Sequence, residues 1–191
     1  ATPLIAASEH GHLPVVQRVL EAGAPLNQRD KLGRTALMVA SCYGYTAVAD
    51  RLLDCGALRD LVDTKGWTAL HHACRGGKHG PAELLLKLNA PIEPEAADGK
   101  TPLLLAAESG DRAPVLLLLG RGARFDVPHR ETGATPLHMA AMFGWLEVVV
   151  LLLDWGAPVM FVDNNGFTPL HLAAQEGKVE VMELLLSRPR A

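Results

Sequence analysis

The chain has 191 residues, of which 49% are hydrophobic and 5% aromatic, and a formal net charge of −3. A weakly acidic chain exerts no general pull on nucleic acid or on an anionic membrane surface, so neither is expected as a partner. No apolar run approaches the roughly 18 residues of a spanning helix; the stretch Val148 to Leu153 is short and flanked by Glu147 and Asp154, so no membrane insertion is expected.

The first element opens at Thr2 with the heptapeptide TPLIAAS, and Pro14 then starts a second helix carrying Val15, Val16, Val19 and Leu20. The heptapeptide returns at Thr35 (TALMVAS), Thr68 (TALHHAC), Thr101 (TPLLLAA), Thr135 (TPLHMAA) and Thr168 (TPLHLAA), at intervals of 33, 33, 33, 34 and 33 residues. A fixed period in this range marks a stacked array of one supersecondary unit. Units begin near residues 1, 30, 63, 96, 129 and 163, and 1–191 is expected to form one elongated domain.

The last unit shows the local logic. Asp163-Asn164-Asn165-Gly166 signals a turn. Thr168 suits an N-cap, and Pro169 suits the first helical position, where no N–H is needed. Leu170, Ala173 and Ala174 form a short apolar stripe that Gly177 ends. A second helix is predicted from Val179 to Leu186, with Val181, Leu184 and Leu185 facing inward. Between units, Gly23-Ala24, Gly56-Ala57, Gly122-Ala123 and Gly156-Ala157 close the second helix, and the chain swings out as a finger. With so few aromatics, the core must be built from Leu, Ala and Val, which suits thin helices packed closely.

Departures from the pattern are local. Pro81 and Pro114, like Pro14, sit at the start of second helices, and Asn89 stands in for a helix-closing glycine. Ala96 and Arg130 stand where other fingers have Asp30, Asp63 and Asp163, and the finger Phe125–Ala134 carries one extra residue. These two fingers are expected to be the least regular. The last unit ends at Ser187-Arg188-Pro189-Arg190 without a Gly-Ala pair. Leu4, Ile5, Val15, Val16, Val19 and Leu20 repeat the interior pattern, so the N-terminal edge is expected to be covered by another repeat or flanking segment.

The period and the T-P-L-H-x-A motif resemble the ankyrin repeat family over nearly the whole chain. The resemblance implies an all-α fold, an ankyrin-repeat solenoid of stacked helix-turn-helix units with protruding β-turn fingers. It implies that His71, His138 and His171, which share one slot, tie fingers to first helices by hydrogen bonds. No catalytic site, metal or cofactor is expected. His71 and His72 are adjacent on a helix and chelate poorly; Glu9, His10 and His12 have no third ligand. Arg75 to Gly80 has glycines and a lysine, but not the order of a phosphate loop. Cys42, Cys55 and Cys74 have no CxxC spacing and read as reduced thiols of an intracellular protein, cytoplasmic or nuclear.

Members of this family bind other proteins on the face lined by finger tips and first helices. The variable positions on that face are the two finger-tip residues, the residue before each threonine, and the pair before the following glycine. Two clusters result. Lys31, Arg34, Lys65 and Arg75 lie beside Tyr43 and Trp67; Met142, Phe143 and Phe167 lie together, with Trp145 just beyond. Aromatics, Met and Arg are enriched at interface cores. The expected ligand is a protein segment whose acidic part meets Arg34, Lys65 and Arg75 and whose apolar part meets Met142, Phe143 and Phe167. The bland alternative is that Trp67 and Phe167 pack along their own fingers. A different function, a regulatory domain masking or positioning an attached enzyme or channel, also fits a monomeric array within a longer chain. Trp155, at the end of a second helix, marks a second contact or simply covers Leu152.

Overall fold

The computed structural model describes residues 2–94 and 96–188. The expected end of the last unit at Pro189 and Arg190 lies outside the described residues. Among those residues there are twelve helices and no strand, in six pairs. Packing separates two compact units, Ala1–Ala97 and Asp98–Ala191. The first holds α1 (Pro3–Glu9) with α2 (Leu13–Glu21), α3 (Ala36–Tyr43) with α4 (Thr46–Asp54), and α5 (Ala69–Arg75) with α6 (His79–Lys87). The second holds α7 (Pro102–Ser109) with α8 (Arg112–Gly120), α9 (Pro136–Phe143) with α10 (Leu146–Asp154), and α11 (Pro169–Gln175) with α12 (Val179–Ser187).

Helices of seven to nine residues are too short to persist alone in water, so each depends on its neighbours. In the first unit α1 packs on α3 and α3 on α5, while α2 packs on α4 and α4 on α6. In the second, α7, α9 and α11 stack likewise, as do α8, α10 and α12. Ala40, Ala73, Ala106, Ala140 and Ala173 occupy one repeated position and are fully buried; only a small side chain lets first helices approach so closely. Leu37, Leu70, Leu103 and Leu137 fill the layer beside them. In the last described pair, Ala173, Val181 and Leu185 are buried, Leu170 and Leu184 half-buried and Ala174 exposed, because no described helix covers its far side. At the other end Leu4, Ile5 and Val16 are buried, Val19 and Leu20 half-buried, and Val15 is 48% exposed.

The capping chemistry follows the motif. Thr2 Oγ1 accepts the Ile5 N–H at 3.2 Å, and Thr101 Oγ1 accepts that of Leu104 at 3.2 Å. The histidine slot caps in the other direction: His138 Nδ1 accepts the Thr135 N–H at 3.2 Å, and His171 Nδ1 that of Thr168 at 3.1 Å. Where Met38 takes the slot, its sulfur stands 3.4 Å from the Thr35 N–H. His138 also reaches the next finger, its Nε2 donating to the Phe167 carbonyl at 3.0 Å, so the proton sits on Nε2. Asn89 takes the left-handed conformation expected of it, with φ 60°.

Fingers are two-residue turns held at their base. Asp30 N–H donates to Arg34 O, Asp63 N–H to Trp67 O and Asp163 N–H to Phe167 O, at 2.9, 3.1 and 2.8 Å. Neighbouring tips are joined by Thr64 N–H to Leu32 O at 3.0 Å and Asn164 N–H to Thr132 O at 2.9 Å. The two fingers lacking the aspartate find substitutes. Asp98 Oδ1 accepts the Lys100 N–H at 3.1 Å. In the longer finger His129, not Arg130, takes the aspartate's place: its N–H donates to Ala134 O at 2.8 Å. Counting back from Thr135 misplaces it by one, because the extra residue lies inside the turn. His129 Nδ1 then pairs with Thr132 Oγ1 at 2.9 Å.

Candidate functional site

Each compact unit carries a cleft where finger tips meet first helices. In the first unit the cleft measures about 400 Å³. Leu32, Thr64 and Lys65 reach it from the fingers, Cys42 and Arg75 from α3 and α5, Gly76 from the cap after α5, and Arg34 from the base of its finger. Trp67 forms the floor. It is only 8% exposed, stacked on His71 with centroids 6.4 Å apart and meeting His72 edge-on at 5.5 Å. The ring thus packs along its own finger, and its Nε1 finds no partner among the described residues. Lys65 Nζ sits 5.0 Å above it, a cation–π contact.

The charges of this cleft are largely matched inside the chain. Arg34 donates to Asp30 Oδ2 from Nε at 2.9 Å and from Nη2 at 2.8 Å. Burial resists ionisation of Asp30, but the Arg34 and Leu32 amides and the guanidinium outweigh it and hold the carboxyl below its ordinary value. His72 Nε2 donates to Asp63 Oδ2 at 3.0 Å, both side chains buried. Burial lowers the His72 pKa, against the pull of Asp63. Cys42 is held protonated: burial raises its pKa against Arg34, Arg75 and Lys78. That is the behaviour of an inert thiol rather than a nucleophile. Arg75 is exposed at the rim. Tyr43, 47% exposed, lies outside the cleft; its hydroxyl donates to Glu9 at 3.4 Å.

The second unit's cleft, about 370 Å³, is different in kind. Leu104, Met139, Met142, Leu172 and Phe167 make it apolar. Thr132, Asn165 and Gln175 edge it, along with Asp163. His129 is buried there with no partner for its Nε2 among the described residues. Lys100 also borders it, and its ammonium pairs with Glu108 at 3.0 Å. Phe167 tilts against His171 with centroids 6.1 Å apart, yet keeps a large exposed face. Phe143, 40% exposed, does not line the cleft. Trp145 plays a separate, structural part, since its Nε1 donates to Glu108 O at 3.1 Å and its ring covers Gly110.

The structure therefore brings Arg34, Lys65, Trp67 and Arg75 into one cleft and Met142 and Phe167 into another. Tyr43 and Phe143 stand outside, exposed. Asp63, His72, Met139, Leu172 and Leu104 also line the clefts, although they lie off the variable positions of the repeat. A signal for three of them is present in the sequence: His72, Met139 and Leu172 precede Arg75, Met142 and Gln175 by three residues, which puts each pair on one helix face. Among the described residues no group of three or more His, Cys, Asp and Glu side chains is arranged to hold a metal ion, and no helix is long and apolar enough to cross a membrane.

Comparison with known proteins agrees with this architecture. The family model described as "Ankyrin repeats (3 copies)" matches residues 1–61, 49–129 and 114–191. The ankyrin repeat domain of human ASB11 superposes with a TM-score of 0.89 at 30% identity, covering 97% of this chain and 83% of that one. The ankyrin repeat domain of Bcl-3, described as a unique member of the IkappaB protein family, superposes with a TM-score of 0.81 at 32% identity, covering 97% and 85%. No curated protein sequence matches the chain.

Proposed function

The chain belongs to the ankyrin repeat family, and from that premise we propose that it binds a segment of another protein where its finger tips meet its first helices. One observation carries this reading: each compact unit presents a cleft at that junction, lined by side chains from successive repeats. The first cleft offers Arg75 and Lys65 at its rim and suits an acidic stretch. The second offers Met142 and Phe167 and suits an apolar one. Exposed Phe143 and Tyr43 stand beside these faces as further contact area. Residues 1–191 are read as one repeat domain, since the motif period runs unbroken from Thr68 to Thr101 across the boundary of the units. Three free thiols, Cys42, Cys55 and Cys74, suit a reducing compartment, cytoplasm or nucleus.

The test uses exposed residues, because truncating the buried Trp67 perturbs folding as well as binding. Proteins captured from a cell lysate are compared for the unaltered chain, Phe143→Ala, Arg75→Glu and Trp155→Ala. A hot spot costs about 2 kcal/mol or more when truncated. A partner lost with Phe143→Ala or Arg75→Glu and kept with Trp155→Ala supports the reading. A partner lost only with Trp155→Ala moves the interface to the ends of the second helices.

A further inference from the structure

Three finger aspartates, Asp30, Asp63 and Asp163, use one carboxylate oxygen in the same way. Oδ1 accepts the backbone N–H groups two and four residues on: Leu32 and Arg34, Lys65 and Trp67, Asn165 and Phe167, all between 2.8 and 2.9 Å. The other oxygen distinguishes them. Asp30 Oδ2 takes two donors from Arg34 and Asp63 Oδ2 takes His72. Asp163 Oδ2 has no partner among the described residues. The reason is visible in the sequence. Phe167 stands where Arg34 stands four residues after Asp30, and Leu172 stands where His72 stands nine residues after Asp63. Both donors have been replaced by apolar side chains that line the cleft with Asp163.

Neighbouring cations do not fill the gap. Lys100 is paired with Glu108. His138, whose titration senses the Asp163 charge, has its ring nitrogens engaged by Thr135 and the Phe167 carbonyl. A carboxylate beside an apolar surface is poorly served by water and gains strongly from a charged donor. The first unit shows what such a donor looks like: a guanidinium placing two bonds on one Oδ2, and a cation held over the aromatic ring at a finger base.

We infer that the cleft of the second unit receives an arginine side chain from the partner protein, its guanidinium on Asp163 Oδ2 and the face of Phe167, its methylenes against Met139 and Met142. A cleft of about 370 Å³ lies at the small end of ligand pockets, which suits one long side chain. Guanidinium is the fitting head group because it stacks on an aromatic face and presents several donors in a plane. The inference rests on the reading that a protein segment occupies this face, and it names the residue that anchors the segment there.

The experiment selects binders to the 191-residue chain from a phage-displayed random peptide library, then titrates the selected synthetic peptides into isotope-labelled chain and follows the NMR signals of Phe167, Gln175 and the Met142 methyl. Peptides that move these signals are expected to share an arginine, and its replacement by glutamine to weaken binding about tenfold. Two chain variants sharpen the result. Asp163→Asn keeps the oxygen that caps the finger and removes the charge. Phe167→Arg rebuilds inside the chain the arrangement of Arg34 on Asp30 and plugs the cleft. Both are expected to lose the arginine preference while keeping the thermal midpoint. Cleft-binding peptides without a basic residue, or binding unchanged in Asp163→Asn, overturn the arginine inference and leave the finger face standing as the interface. Peptides that move signals in neither cleft, with Lys65 and Arg75 reporting on the first, or no selected peptide at all, overturn both.

Discussion

The two compact units share a frame and differ in how its openings are furnished. In the first, Arg34 lies on Asp30, His72 on Asp63 and Lys65 on Trp67, so the polar groups find partners within the chain. In the second, Phe167 holds the place of Arg34, Leu172 and Met139 hold that of His72, and the cleft is apolar with an unanswered carboxylate oxygen. The contrast teaches that one backbone scaffold can present a closed polar network or an open apolar slot through a few substitutions at positions where the frame makes no demand. Stability resides in the repeated residues and recognition in the changing ones.

The largest effect tests whether the frames are equivalent. Leu70→Ala in α5 and Leu137→Ala in α9 each remove a side chain 1% exposed, and each is expected to cost about 2–5 kcal/mol in urea unfolding. A loss confined to one unit breaks the equivalence. Next comes a pair of glycines within the second unit. Gly110 (φ 82°) lies under the Trp145 ring, so a methyl there collides with it, whereas Gly166 (φ 80°) has nothing within 4 Å. Gly166→Ala pays only for its backbone conformation, roughly 1 kcal/mol. Gly110→Ala is expected to cost clearly more and to quench or shift Trp145 fluorescence; equal costs show that the ring swings aside freely.

A smaller effect distinguishes the finger aspartates. Asp30→Asn leaves Arg34 without its anion and is expected to cost about 1 kcal/mol, since the pair is only half-buried. Asp163→Asn breaks no ion pair and is expected to stay within about 0.5 kcal/mol. Equal losses contradict the contrast between the clefts. The smallest effect is on pH dependence. Burial lowers the His138 pKa below its ordinary 6.5, so below that pH the unfolded chain binds protons more readily than the folded one. The His138 contribution is intact above pH 6.5 and is lost as pH falls through the lowered folded value. Urea midpoints measured on either side of that pH are expected to differ less in His138→Gln than in the unaltered chain.

The frame was legible because Thr caps, Pro starts, Leu and Ala fill, and Gly or Asn closes, each at a fixed period. Asn89 shows that even a substitution in that frame is readable, since few side chains tolerate its φ of 60°. The clefts were half legible. Arg34, Lys65, Arg75, Met142 and Phe167 border them as their repeat positions suggest. The burial of Trp67 was legible only as the alternative to a contact role, because it depends on the ring folding back onto His71 and His72 rather than on its place in the repeat. The pairing of Arg34 with Asp30, which consumes a cation that counts as free in a tally of charges, was not legible. The place of His129 is hidden because an inserted residue shifts the register within the turn itself.

Tyr45 over Gly11 and Trp145 over Gly110 carry a consequence for anyone who would cut and rejoin these repeats. Each ring belongs to one repeat and its seat to the repeat before. The pair is a lock and key divided across the natural splice point. A repeat carrying Trp145 needs a predecessor with glycine at the corresponding turn, and every repeat here offers one: Gly11, Gly44, Gly77, Gly110, Gly144 and Gly177 share that position. Exchange between positions of the array therefore leaves each ring its seat, and the constraint falls on a repeat brought in from elsewhere, which must carry glycine at that turn.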